Sequence, residues 1–257
     1  MPRIRINNDE IFYHSRGNLD SSKHTILFIH GAGQSRHTWE YQLETFSKNE
    51  KINFIIPDLP GHGNSKGNGL TTVTEYAGFI RELISTLNLK NVIIVGHSMG
   101  GAIAQLIALE NPDYLNAVVL VCTGAWMRVA KESLAAVKNN YPVFCDVAPS
   151  RAFSENADDE LKVRFREGLL NTSQEVVYHD LKACDEFDIS DRIIHIKLPT
   201  LIIGAEYDLL TPPKYSEYLH HQIHDSELVI VKDSGHFVMQ EKYREFDTLI
   251  LNFIDNL

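Results

Sequence analysis

Ser98 stands in Gly96-His97-Ser98-Met99-Gly100, a G-x-S-x-G arrangement whose flanks decide whether it can do chemistry. Val92 to Val95 are uncharged and all β-branched, a run that reads as a strand buried on both faces. After the pentapeptide, Met99, Ala102, Ile103, Leu106 and Ile107 recur at helical spacing, and the first charge is Glu110. The serine therefore sits at a sharp junction between a buried strand and a buried helix. Glycines on either side remove the Cβ atoms that would clash where strand and helix approach. Such a turn lifts the Ser98 hydroxyl clear of the sheet. It also places it at a helix N-terminus, where partial positive charge favours a developing anion. A nucleophile of this kind needs a base, an acid to orient the base, and donors for an oxyanion.

Twelve histidines compete for the role of base. His236 lies in Asp233-Ser234-Gly235-His236-Phe237, between the last strand and the last helix. That is the carboxyl end of a strand, where open α/β sheets place their ligand sites. Asp208, in Gly204-Ala205-Glu206-Tyr207-Asp208, follows another strand in the same way, with Glu206 as its nearest competitor. Serine, acid, histidine is the chain order that goes with this type of turn. Other candidates read more simply. Of His220, His221 and His224, the first and last stand one helical turn apart, but no third ligand and no H-E-x-x-H pattern accompany that pair, and the three read as solvent-facing residues near a helix end. His97 and His30 read as bracing residues and Asp58 as the organiser of its own loop. Gly31-Ala32-Gly33 lacks the following Lys-Ser/Thr of a phosphate cradle.

The elements that must position these residues alternate. An edge hairpin is expected around Asn7-Asn8-Asp9, then a polar loop from Gly17 to Lys23. Strands follow at 25–29, 53–56, 92–95 and 117–121, with helices at about 37–48, from Thr72-Val73-Thr74-Glu75 onward, and after the serine. The Thr72/Glu75 spacing is that of a capping box. After Cys122 the rhythm breaks. From 124 to 191 the sequence predicts helices near 127–139, 158–170 and 173–186, separated by Tyr141-Pro142 and Ala148-Pro149-Ser150, and no strand. It resumes with a strand at 201–203, a helix at 212–221, a strand at 228–231 and one last helix at 238–255. The expected organisation is a core of residues 1–123 and 192–257, with residues 124–191 inserted as a helical cap. Alternating strands and helices indicate a largely parallel sheet covered on both faces.

Composition sets the outer bounds. The 257 residues suffice for one large domain, and 44% hydrophobic with 23% charged residues is ordinary for a globular protein. A net charge of −10 argues against nucleic acid or an anionic membrane as the main partner. Cys122, Cys145 and Cys184 are odd in number and widely spaced, which does not suggest a disulfide framework. No apolar stretch approaches the roughly 18 residues of a membrane span, and the N-terminus has no signal-peptide core. A cytoplasmic location is expected.

Taken together, His30-Gly31-Ala32-Gly33, Asp58-Leu59-Pro60-Gly61-His62-Gly63-Asn64-Ser65, Gly96-His97-Ser98-Met99-Gly100-Gly101, Asp208 before Pro212, and Gly235-His236 resemble the α/β-hydrolase fold family. Within it, the chain is similar to small carboxylesterase-like serine hydrolases with a helical cap after the sixth strand. The resemblance implies eight mostly parallel strands, the first three at the amino-terminal edge, flanked by helices. It implies Ser98 as nucleophile, His236 as base and Asp208 as orienting acid, with the backbone N–H groups of Ala32 and Met99 as oxyanion hole. Members that remove halide or open epoxides carry aspartate where Ser98 stands, so those chemistries are excluded. Trp126, Met127 and Phe237 are placed to line a substrate pocket, with Tyr141, Phe144, Phe153 and Phe187 as candidates for its roof. The expected substrate is a small or medium carboxylic ester, with no cofactor, no metal, and no nucleic acid or membrane partner. The same machinery serves carbon–carbon bond hydrolases, thioesterases and lactonases, and a ligand receptor on a hydrolase scaffold is the reading from another class. The sequence leaves the oligomeric state open.

Overall fold

Strands and helices alternate along the computed structural model, which describes residues 2–6, 9–15 and 19–257. The first half runs β1 (Arg3–Ile6), β2 (Asp9–Ser15), β3 (Thr25–Ile29), α1 (Glu40–Ser47), β4 (Asn53–Pro57), α2 (Val73–Thr86), β5 (Val92–His97), α3 (Met99–Leu109) and β6 (Leu115–Val121). Four helices follow: α4 (Lys131–Asn139), α5 (Tyr141–Ala152), α6 (Asp159–Asn171) and α7 (Gln174–Glu186). The chain closes with β7 (Thr200–Ala205), α8 (Pro213–Gln222), β8 (Ser226–Val231), α9 (Val238–Glu241) and α10 (Tyr243–Asp255). The hairpin turn expected at Asn7-Asn8 and the beginning of the loop expected from Gly17 lie outside the described residues. No helix among the described residues is long and apolar enough to cross a membrane.

The eight strands form one sheet in the order β1-β2-β4-β3-β5-β6-β7-β8. The β1–β2 and β2–β4 pairs are antiparallel and all others parallel. The edge is thus β1, β2 and β4, not the first three strands in sequence, because β4 lies between β2 and β3. Handedness explains this placement. A right-handed crossover through α1 carries the chain from β3 outward to β4, and the return through α2 on the opposite face carries it past β3 to β5. The two apolar clusters match these faces. Leu27, Ile94 and Leu120 pack with α2 and α3, whereas Phe28, Val95 and Val119 pack with α1 and α10. The central strands are continuous apolar runs because both faces are covered.

Two helical expectations need correction. The segment before β7 contains four helices, not three, because α5 runs through both proline signals. Pro142 sits in its first turn, where an N–H would lack a partner anyway, and Pro149 falls within its last turn. The last helix is two, since Lys242 breaks it at φ −127°, ψ 43°. The capping box of α2 is present: Glu75 N–H donates to Thr72 Oγ1 at 3.1 Å, and Thr72 N–H donates to Glu75 Oε2 at 3.0 Å.

Candidate active site

The turn between β5 and α3 holds Ser98 at φ 52°, ψ −115°, a left-handed conformation that costs a non-glycine residue about 1–3 kcal/mol. Its neighbours leave it no alternative. Ser98 N–H donates to Val121 O at 2.9 Å, and Thr123 Oγ1 donates to Ser98 O at 2.9 Å. A Cβ on Gly96 would lie 2.2 Å from Gly100 O, and one on Gly100 would lie 2.3 Å from Ile29 O. Both contacts are with backbone, so only glycine fits there.

Two strand ends supply the other members. His236 follows β8 and Asp208 follows β7. Asp208 Oδ2 accepts from His236 Nδ1 at 2.8 Å, which leaves the other ring nitrogen, Nε2, bare to accept a proton. Three further donors fix the carboxylate: Leu210 N–H and Thr211 N–H on Oδ1, and the Thr211 hydroxyl on Oδ2, each at 2.8 Å. Glu206 does a different job, accepting from Asp233 N–H at 3.0 Å in the loop that leads to His236. His97 Nε2–H donates to His236 O at 3.0 Å, so the turn that carries the serine also holds the histidine's backbone. Burial, then the neighbouring His236, pushes the His97 imidazole well down, and it stays neutral. Glu241 takes Gly235 N–H at 2.9 Å and the Ser154 hydroxyl at 2.5 Å, tying the histidine loop to the end of α5. No hydrogen bond closes between Ser98 and His236 among the described residues; such contacts often tighten only when substrate arrives.

Ala32 and Met99 both offer free donors. Met99 opens α3, so its N–H has no acceptor within the helix, and Ala32 N–H donates to no group among the described residues. The Ala32 loop is braced from the core. Leu59 N–H donates to His30 Nε2 at 3.0 Å, which puts the imidazole's hydrogen on Nδ1, where it donates to Gly31 O at 2.9 Å. Burial, with His62 nearby, lowers His30 to about 3. Asp58 organises its own loop as expected, taking Arg36 N–H at 2.8 Å, Arg36 Nη1 at 2.5 Å and Asn64 N–H at 2.9 Å.

Ser98, His236, Ala32, Met127 and Phe237 open on one cavity of about 230 Å³, with walls that are mainly apolar. Trp126 does not line it. Its ring packs on Tyr215 and Tyr218, and its backbone bridges Asp188, because the chain leaving β6 turns down onto α8 before it reaches the cavity. Of the four aromatic roof candidates only Phe144 lines the cavity. Phe153 stacks behind Phe237, Tyr141 donates to Leu169 O at 2.5 Å, and Phe187 lies in the core beneath α3. Sequence reasoning missed Phe165 and Thr211. Phe165 carried no signal beyond helical spacing. Thr211 had one, an aspartate three residues earlier whose side chain could cap its N–H.

Among the described residues one group of three side chains brings metal-type donors together: Cys122, Asp208 and His236, with donor atoms within 4.8 Å of each other. Their chemistry does not suit a cation. Burial first, then the Asp208 charge, raises the Cys122 thiol well above its ordinary range, so it stays protonated. Asp208 and His236 Nδ1 already satisfy each other. His220, by contrast, pairs with Ser226 Oγ at 2.9 Å on the protein surface.

A strained serine turn after β5, with acid and histidine at the ends of β7 and β8, invites comparison with known proteins. A family model described as alpha/beta hydrolase fold matches residues 24–243. The chain belongs to the alpha/beta hydrolase fold family. By family it is an α/β-fold hydrolase, and its relatives span several substrates. A putative carbamate hydrolase, RutD, of Rhizobium rhizogenes is 27% identical over 248 residues, which is 90% of this chain and 92% of that one. The structure of a thermophilic esterase is 33% identical with a TM-score of 0.85, covering 99% of this chain and 97% of the other. The enol-lactonase from Burkholderia xenovorans LB400 shares the fold at a TM-score of 0.91 and 22% identity, covering 99% and 100%.

Proposed function

We propose that this α/β hydrolase is a serine esterase that cleaves a small or medium carboxylic ester through an acyl-enzyme. The observation that carries the reading is the strained Ser98 opening on the same cavity as His236, whose Nδ1 is held by Asp208 at 2.8 Å. In this reading His236 Nε2 takes the Ser98 proton as Oγ bonds to the carbonyl carbon. The displaced electron pair forms an oxyanion, which the N–H groups of Ala32 and Met99 receive. Collapse breaks the ester C–O bond, and the imidazolium returns its proton to the departing alcohol. Water then attacks the acyl carbon, giving its proton to His236; the acid leaves and Ser98 recovers its hydrogen. Asp208 keeps the imidazole in the accepting tautomer and balances its charge when protonated.

Residues 124–191 act as the cap in this account, because α4 to α7 supply much of the cavity wall opposite Ser98, including Phe144, Phe165 and Leu181. A cavity of this size with apolar walls suits an acyl or alcohol portion of a few carbons. The test is a panel of p-nitrophenyl acetate, butyrate and longer esters, with lactone, thioester and carbamate arms added because lactonases and carbamate hydrolases share this fold. Release of nitrophenol that declines with longer chains is expected. A folded protein that cleaves no ester on the panel contradicts the reading.

A further inference from the structure

The loop that offers Ala32 N–H is fastened from two sides, and only one of them is the sheet. The Gly31–Ala32 peptide carries the Ala32 N–H, and its carbonyl accepts from His30 Nδ1–H at 2.9 Å and Gln34 N–H at 3.3 Å. The next peptide carries Gly33 N–H, which donates to Asp180 Oδ2 at 2.8 Å. Gly33 O in turn lies 3.2 Å from Thr172 Oγ1, whose hydrogen it shares with Gly168 O at 3.0 Å. Asp180 belongs to α7, and Thr172 lies directly after α6. Both backbone torsions of Ala32 are therefore set by its flanking peptides, one held by the core and one by the helical segment. Gly33 itself is at φ +66°, and a Cβ there would lie 3.0 Å from Leu169 and 3.1 Å from Val177, so α6 and α7 also close over it.

Asp180 is not free to shift. It is fully buried, its Oδ2 also meets His62 Nε2 at 2.8 Å, and its Oδ1 accepts from the Tyr76 hydroxyl at 2.7 Å. Burial alone would lower His62, but the Asp180 carboxylate, joined by the Pro60 carbonyl and Asp58, outweighs it and the imidazole is raised. A buried carboxylate bound to donors from three separate segments moves only if all three let go.

We propose that Asp180 is a positioning residue for the oxyanion donor: through Gly33 it aims the Ala32 N–H while α7 is seated on the core. The inference rests on the serine-hydrolase reading, in which Ala32 receives the oxyanion. Asp180 touches no reacting atom. Because the oxyanion exists only beyond the ground state, misaiming its donor lowers kcat and leaves KM nearly unchanged.

The test uses the full chain with p-nitrophenyl butyrate. Loss of an oxyanion donor typically costs 10²–10³ in rate, so a misaimed one in Asp180→Ala is expected to lower kcat by about tenfold to a hundredfold, with KM within about threefold. Thr172→Val, which removes the hydroxyl that Gly33 O shares with Gly168 O of α6 and leaves the Asp180 contact in place, is expected to lower kcat by a smaller factor, about threefold. It carries the test if Asp180→Ala does not fold. Asp247→Ala is the stability control. That buried carboxylate binds Gln42 and Thr45 between α1 and α10, away from the cavity wall, and its loss leaves kcat near wild type. Unchanged kcat in folded Asp180→Ala and Thr172→Val overturns the proposal, as does an equal loss in Asp247→Ala. An inactive wild type that a fluorophosphonate fails to label takes down the esterase reading and this inference together; an active wild type with active variants takes down this inference alone.

Discussion

Asp208→Asn replaces one oxygen by an amino group and is expected to remove nearly all turnover. Asp208 Oδ1 accepts from Leu210 N–H and Thr211 N–H, both at 2.8 Å, and these backbone donors cannot turn away. The asparagine oxygen must take that position. Its NH2 then lies where Oδ2 was, 2.8 Å from His236 Nδ1. An NH2 group only donates, so Nδ1 becomes the bare nitrogen and the proton moves to Nε2. An imidazole with hydrogen on Nε2 cannot take the Ser98 proton, and a wrong tautomer of this kind costs about 10⁴ in kcat. The fold loses little, because the Thr211 hydroxyl can rotate to accept from the new NH2; a cost near 1 kcal/mol lowers Tm by only a few degrees. The assay is kcat on p-nitrophenyl butyrate beside a thermal melt. Glu206→Gln, which keeps an acceptor for Asp233 N–H, serves as control and stays within about twofold of wild type. A folded Asp208→Asn variant with kcat within tenfold of wild type refutes the argument.

Three further outcomes follow from the same contacts. Gly100→Ala forces a Cβ to within 2.3 Å of Ile29 O, a backbone atom of β3, and is expected to cost about 3 kcal/mol or more in a chemical denaturation curve. Arg36→Met leaves Asp58 buried without its charged partner and is expected to cost about 3–5 kcal/mol by the same measurement. Stability should also fall as pH drops from about 6.5 to 5. His30 is lowered to about 3 and His97 is lowered too, so their stabilising effect is full above the unfolded value near 6.5 and is lost as the unfolded chain takes up protons. For His30 alone this amounts to about 2 kcal/mol at pH 5. His62 runs the other way, being raised, but its effect is complete below about 6.5 and does not offset this window. Melts at pH 6.5, 5.75 and 5.0 read the trend, and a flat or rising Tm contradicts it.

Much of this architecture is legible in the sequence because local rules and global fold agree. The strand ahead of Ser98, the apolar helix behind it and the glycines between them each report one physical demand of a single tight turn. Asp208 and His236 are legible for a related reason: each follows a β-rich run at a strand's carboxyl end. What the sequence hides is set by contacts distant along the chain. Trp126 reads as a pocket residue until Tyr215 and Tyr218, some ninety positions later, are seen to take its ring. Pro149 reads as a separator because the chain signal for a break is stronger than the packing that carries α5 past it. Asp180 is an unremarkable helical aspartate until Gly33, His62 and Tyr76 converge on it. The order of β4 and β3 is fixed by crossover handedness, which no residue pattern encodes.

Labelling of Ser98 tests the central claim most directly. Wild-type protein is treated with a fluorophosphonate and the modified residue located by peptide mass spectrometry, beside Ser98→Ala and His236→Ala. The account predicts one adduct per chain, on Ser98, absent in Ser98→Ala and formed far more slowly in His236→Ala. A folded wild type that takes no label, or a label that persists in Ser98→Ala, contradicts it.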